Sequence, residues 1–145
     1  MAGWTTCMIL LMTMTSLMTS QAADTCAKYS NGCNIPFNLP YFYEKLFTPS
    51  CYRHDVCYEC GKQFGVSRED CDKAFLGLMR TSCKTLRKRR DVDVDVRKRF
   101  FFSKDFFCKA IAYSYYGATR LGGANNYENP SKSWCSESWV TSCLP

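Results

Sequence analysis

The densest chemistry in this chain is the run Cys51-Tyr52-Arg53-His54-Asp55-Val56-Cys57-Tyr58-Glu59-Cys60, and His54 is its only imidazole. An imidazole titrates near neutrality, so it can take or give a proton during a reaction. A lone histidine is more ordinarily a packing or surface residue, and what sets this one apart is its company. On a helix, positions 51, 54 and 57 or 58 share one face, so His54 would sit between two cysteines able to fasten that face to neighbouring segments. Asp55 would point about a quarter turn away, where its carboxylate could ligate a metal without touching the histidine. Cys57 and Cys60 have the spacing of half a zinc site, but no matching second pair follows.

Helices must position these groups. Residues 51–64 contain no Pro and only Gly61 inside, and Gly65 is a natural stop, which predicts a helix across the run. Ser67-Arg68-Glu69-Asp70 resembles a capping box with Asp in place of Glu, and Cys71, Phe75, Leu78, Met79 and Ser82 recur at helical spacing, predicting a second helix over about 68–84. Ser103 is a candidate cap for a third helix through Phe106, Phe107, Ala110, Ile111 and Ser114 that ends near Gly117. Beyond it Gly122-Gly123 and Asn125-Asn126 read as loop, and the tail as an irregular segment held by Cys135 and Cys143.

Length and composition bound what such elements can build. The chain has 145 residues, 11 of them Cys, and a formal charge of +6. That allows one small domain, and the cysteine density is that of a disulfide-stapled secreted protein. It argues against nucleotide-binding folds and large cores. Met1 to about Ala23 carries no charged side chain, has an apolar core from Cys7 to Met18 and small residues at Ser20, Ala22 and Ala23, the layout of a secretory signal peptide. Residues 24–86 and 100–145 would then form the mature protein. Between them, Leu86-Arg87-Lys88-Arg89-Arg90 and Arg97-Lys98-Arg99 bracket an Asp-Val alternation, and in an exported chain paired basic clusters read as processing sites. Excision of 87–99 removes seven basic and three acidic side chains and leaves a charge near +2, so the case for a nucleic-acid or other polyanion partner largely disappears.

Cysteine parity adds a consequence. Cys26, Cys33, Cys51, Cys57, Cys60, Cys71 and Cys83 precede the linker, and Cys108, Cys135 and Cys143 follow it. Both counts are odd, so full pairing requires at least one bridge between the two segments. A single uncut chain with five internal bridges satisfies parity equally well.

The run around His54 resembles the active-site helix of secreted phospholipases A2, whose signature is Cys, two spacers, His-Asp, one spacer, then Cys-Tyr. Cys51, His54, Asp55, Cys57 and Tyr58 fit it, and Cys71-Asp72-Lys73-Ala74-Phe75 is similar to the second catalytic helix of that family. The whole layout, with an Asn31-Gly32-Cys33 loop, two helices, a basic linker and a short C-terminal segment, resembles the conodipines, the two-chain phospholipases A2 of cone-snail venom. The resemblance implies a small, disulfide-rich, mainly α, phospholipase A2-like fold with two antiparallel catalytic helices. It implies His54 as general base, Asp72 as the acceptor that orients it and Tyr58 as a hydrogen-bond donor to Asp72. It also implies Ca²⁺ held by Asp55 with the loop around Asn31, Gly32 and Asn34, and bridges Cys33–Cys51 and Cys57–Cys71. The loop is closer to the Asp-Gly-Cys-Ser type of bacterial and fungal relatives than to the Gly-rich animal type, with Asn31 where those have Asp.

The reading is therefore a secreted venom enzyme, a disulfide-linked heterodimer of its own two processed chains, acting at a phospholipid membrane surface on the sn-2 ester with Ca²⁺. Tyr41, Phe42, Tyr43, Phe47 and Phe100 to Phe102 are candidates for an apolar rim, though such clusters more often form core or chain-docking surface. A non-catalytic toxin on the same scaffold, binding a receptor or channel, is the alternative; a two-chain hormone-like peptide would explain the linker but not the His-Asp constellation.

Overall fold

The two bridges implied by the catalytic-helix resemblance are present, Cys33–Cys51 and Cys57–Cys71, and three more, Cys26–Cys143, Cys60–Cys135 and Cys83–Cys108, join residues before the basic linker to residues after it. The computed structural model describes residues 25–34, 42–88, 97–127 and 130–145. The expected signal peptide, the core of the linker and Ile35 to Tyr41 lie outside them. With all ten of these cysteines in disulfides, Cys57 and Cys60 have no thiolate to offer zinc. Each bridge constrains the unfolded chain by about 3–5 kcal/mol according to the length of loop closed, so a domain with so small a core leans on them.

Three long helices carry the architecture: α1 (Glu44–Cys60), α2 (Arg68–Lys88) and α3 (Arg97–Gly122). Among the described residues there is no strand, and no helix is long and apolar enough to cross a membrane. Helix α1 begins at Glu44 rather than 51 and runs through Pro49. Pro49 is the sixth helical residue, just past the four whose N–H groups lack intrahelical partners, so its missing N–H costs one intrahelical bond, near the helix start. A 3-10 turn, Gly61–Phe64, follows, and Gly65 at φ 71° ends it as anticipated.

Helix α2 starts at the anticipated box. The Ser67 hydroxyl accepts the Asp70 backbone N–H at 3.1 Å, and the Asp70 carboxylate accepts the Ser67 N–H at 3.3 Å and its hydroxyl at 2.6 Å. His54 pairs with Asp72, Cys57 with Cys71, and Phe47 shares a cluster with Met79, so positions rise on one helix as they fall on the other. Helices α1 and α2 are therefore antiparallel. The same pattern, Cys83 with Cys108 and Asp72 with Arg120, sets α3 antiparallel to α2. The core between them is Phe47, Cys51, Phe75, Met79, Cys83, Cys108, Ala112 and Tyr115.

Helix α3 differs most from the sequence expectation. It starts at Arg97, so Ser103 is interior rather than a cap, and it passes Gly117 to end at Gly122. A Cβ at Gly117 would meet nothing within 4 Å, so this glycine marks neither a turn nor a close approach. What closes α3 is largely tertiary: the Arg68 guanidinium donates to the Thr119 carbonyl at 3.2 Å, which also accepts the Gly123 N–H at 2.9 Å, and to the Arg120 carbonyl. Asn125 and Asn126 lie in a short helical turn, Ala124–Tyr127, not in loop. The tail is two 3-10 turns, Ser133–Ser136 and Val140–Cys143, bridged to Cys60 and Cys26.

The aromatic candidates divide. Phe47 is core; Tyr43 packs half-buried on the same cluster; Phe42 is exposed and packs edge-on against Phe107. The side chains of Tyr41 and Phe100 to Phe102 lie outside those described.

Candidate active site

His54 sits on the face of α1 that meets α2 and is 8% exposed. Its ring stacks on Phe75 with centroids 4.5 Å apart and lies 4.2 Å from the Tyr58 ring. Packing from both residues fixes the imidazole so that Nε2 lies 2.9 Å from Asp72 Oδ1. Asp72 is fully buried. Its Oδ1 also accepts the Tyr58 hydroxyl at 2.6 Å, while Oδ2 accepts Arg120 Nη1 at 2.9 Å and lies 3.8 Å from Arg68 Nε. Burial pushes the Asp72 carboxyl up, but hydrogen bonds from His54, Tyr58 and Arg120 outweigh it and hold the group below the usual carboxylate range. An ionised carboxylate has no proton to give, so Nε2 must carry the hydrogen of the shared bond, and Nδ1 is left to accept one. The Tyr58 phenol is pushed strongly up, by burial first and then by Asp72, and so remains a donor.

Asp55 faces the segment before α1. The Ser30 hydroxyl donates to its Oδ2 at 2.5 Å, and the Asn31 backbone N–H adds a second bond. Burial raises the Asp55 pKa, and Ser30, His54 and Asn31 counter it only in part. A half-buried carboxylate in that position is stabilised by a cation. Gly32, at φ 85°, turns the chain so that the Asn34 N–H meets the Gly32 carbonyl at 3.0 Å. Gly32, Asn34, His54 and Asp55 together line a cavity of about 30 Å³, enough for a water molecule. Asn31 instead lines a wider groove of about 750 Å³ that also reaches His54, Asp55 and Tyr58.

Calcium is fitted by oxygen donors, and the residues here offer them: one carboxylate, two Asn amides and the carbonyls of a turned loop. Among the described residues no group of three or more His, Cys, Asp and Glu gathers, so a cation beside Asp55 would rest on that one carboxylate and on neutral oxygens. Ile35 and Pro36, the far part of the loop, lie outside those residues.

The structure thus brings His54, Asp72 and Tyr58 into one hydrogen-bonded set, and Asp55 with Gly32 and Asn34 into one cavity beside it. Sequence reasoning missed Ser30, Arg68, Arg120 and Gly123. Gly123 is informative: a Cβ there would lie 2.7 Å from the Tyr58 hydroxyl and 2.6 Å from the Thr119 carbonyl, so only glycine lets the end of α3 close over Tyr58. Ser30 was adjacent to a residue already singled out, and Arg68 stands at i,i+4 from Asp72, a spacing that could have found it; Arg120 carried no local signal, since its contact with Asp72 spans 48 positions.

Compared with known proteins, the chain is 36% identical to Conodipine-P3 of Conus purpurascens over 79% of its own length and 81% of that relative's. It is 34% identical to Conodipine-P2 of the same species over the same shares of each chain. It is 45% identical to the Conodipine-M alpha chain of Conus magus over 42% of this chain and 78% of that one. No family model matches it, and no solved structure does.

Proposed function

The chain belongs to the conodipines, and from that premise we propose that it is a secreted venom phospholipase A2 that hydrolyses the sn-2 ester of glycerophospholipids with Ca²⁺. The observation that carries this reading is the orientation of the one imidazole: Nε2 is tied to a buried, ionised Asp72, and His54 lines the cavity that also holds Asp55.

In the proposed reaction a water in that cavity gives a proton to His54 Nδ1 as its oxygen attacks the ester carbonyl. The imidazolium so formed is stabilised by the Asp72 carboxylate, whose charge is already ordered by Tyr58 and Arg120. Collapse of the tetrahedral intermediate expels the lysophospholipid alkoxide, which takes the proton back from Nδ1. Fatty acid and lysophospholipid leave, and the neutral histidine is restored. A calcium ion bound by Asp55 and the oxygens of residues 31–34 would supply positive charge to the lipid phosphate and to the developing oxyanion.

Assaying fatty-acid release from a glycerophospholipid labelled at sn-2, with and without a chelator, tests the reading. Release that stops on chelation and returns with Ca²⁺ is expected. Toxicity with no chelator-sensitive hydrolysis would replace the enzyme by a binder on the same scaffold.

We also propose that 87–99 is excised, giving a disulfide-linked heterodimer. Three bridges would then join the products. Mass spectrometry of the native protein is expected to resolve two chains, ending near Leu86 and starting near Phe100, only after reduction; one intact chain through 87–99 under reducing conditions would refute the cut.

A further inference from the structure

The buried carboxylate that orients His54 is held from the far end of the sequence. Asp72 divides its work between its oxygens: Oδ1 takes the two donors of α1, His54 and Tyr58, and Oδ2 takes Arg120, from the last turn of α3. Both donors on Oδ1 are neutral when the histidine is neutral. Neutral donors offset the desolvation of a fully buried carboxylate but bring no opposite charge to it, and burial favours its protonated form. A protonated Asp72 could donate to His54 Nε2, and the imidazole hydrogen would move to Nδ1, the nitrogen that has to be vacant. Arg120 blocks that state, because a guanidinium does not give up its proton in a protein and its charge beside Oδ2 is therefore permanent.

Arg68 is the other cation nearby, but its geometry assigns it a different task. Its Nε stands 3.8 Å from Asp72 Oδ2, whereas its Nη2 is committed to the carbonyls of Thr119 and Arg120. Arg68 thus fixes the end of α3, and that end delivers Arg120. Gly123, packed against the Tyr58 hydroxyl, allows the approach.

We propose that Arg120 is a positioning residue of the reaction, which keeps Asp72 an acceptor and thereby holds His54 in the tautomer with Nδ1 free. The inference rests on the hydrolase reading above and adds that the working site is built across the basic linker, with base and carboxylate before it and the carboxylate's counter-charge after it.

The test compares Arg120→Gln and Arg120→Lys, each in the otherwise native sequence and in an Asp72→Asn background, with circular dichroism to verify that each is folded. Arg120→Gln is expected to lower kcat by on the order of tenfold to a hundredfold, the size of effect found for outer hydrogen-bond partners of metal-ligating residues, while KM stays unchanged. Arg120→Lys should recover part of the loss. In the Asp72→Asn background Arg120→Gln should cost nothing further, because the group it holds is gone. A raised KM with unchanged kcat, or equal losses in both backgrounds, would overturn the proposal and make Arg120 a substrate contact or a structural residue. A second readout needs no activity. With a single histidine in the chain, nitrogen-15 spectra report this imidazole alone: the neutral ring should carry its hydrogen on Nε2 in the native protein and become a tautomer mixture in Arg120→Gln. An unchanged tautomer refutes the role of Arg120 whether or not lipid is hydrolysed. A native protein that hydrolyses no lipid, yet shows the tautomer shift, refutes only the hydrolase reading.

Discussion

Replacing His54 by Gln is expected to lower turnover by roughly a hundredfold to ten-thousandfold, the cost of losing a general base, without unfolding the protein. The fold should survive because constraint resides elsewhere. Cys51 and Cys57 on the same helix face are bridged to Cys33 and Cys71, and both bridges are independent of the ring. Gln can still donate a side-chain N–H toward Asp72, so the carboxylate is not left short of a partner, which would be the expensive outcome in a buried site. What it cannot do is accept a proton from water at neutral pH. Asp72→Asn should cost less turnover than His54→Gln, since the base remains, but more stability, since the guanidinium of Arg120 and the hydroxyl of Tyr58 lose a charged acceptor. Steady-state kinetics and thermal melts of the two variants therefore give opposite orders. If both keep full activity, or if the His54 variant melts earlier than the Asp72 one, the division of roles between base and orienting carboxylate is wrong.

How far such a site can be read from sequence depends on the range of the signal. The Ser67–Asp70 cap is a three-residue interaction and is legible from spacing. The faces of α1 and α2 are legible as well, because helical periodicity places His54 with Cys51 and Cys57, and Asp72 beside Cys71. The bridges Cys33–Cys51 and Cys57–Cys71 were legible only through resemblance, since ten cysteines allow many pairings. The bridges to Cys108, Cys135 and Cys143 were legible only as an odd count. The length of α3 was not legible at all: Gly117 imitates a stop, and the cap that ends the helix is a side chain 51 positions upstream. Arg120 is invisible for the same reason. Nothing near it in the chain distinguishes it from a solvated arginine, and its meaning comes from a carboxylate 48 positions away that the fold has already buried.

Asp55→Asn should abolish the response of stability to millimolar calcium and weaken or abolish that of activity. In the native protein Asp55 is a half-buried carboxylate whose pKa burial has raised, with a hydroxyl and a backbone N–H as its hydrogen-bond donors. Without metal, such a charge is a cost to the folded state, so removing it should leave the chelated protein as stable as before or slightly more so. Folded-state binding of Ca²⁺ reverses the balance. A ligand present at a hundred times its dissociation constant stabilises the fold by about 2.7 kcal/mol, and an amide is a far weaker ligand for a hard dication than a carboxylate. The native protein should therefore melt higher in millimolar calcium than in chelator, whereas Asp55→Asn should melt alike in both. Catalysis should follow, with the calcium needed for half-maximal sn-2 hydrolysis raised tenfold or more, or activity lost at every concentration. His54→Gln is the contrasting control: it leaves Asp55 and the 31–34 loop in place, so it should keep the calcium-dependent shift in melting while losing turnover. Calorimetry that finds equal calcium affinity in the native protein and in Asp55→Asn would remove Asp55 from the metal site, and with it the placing of Ca²⁺ beside His54.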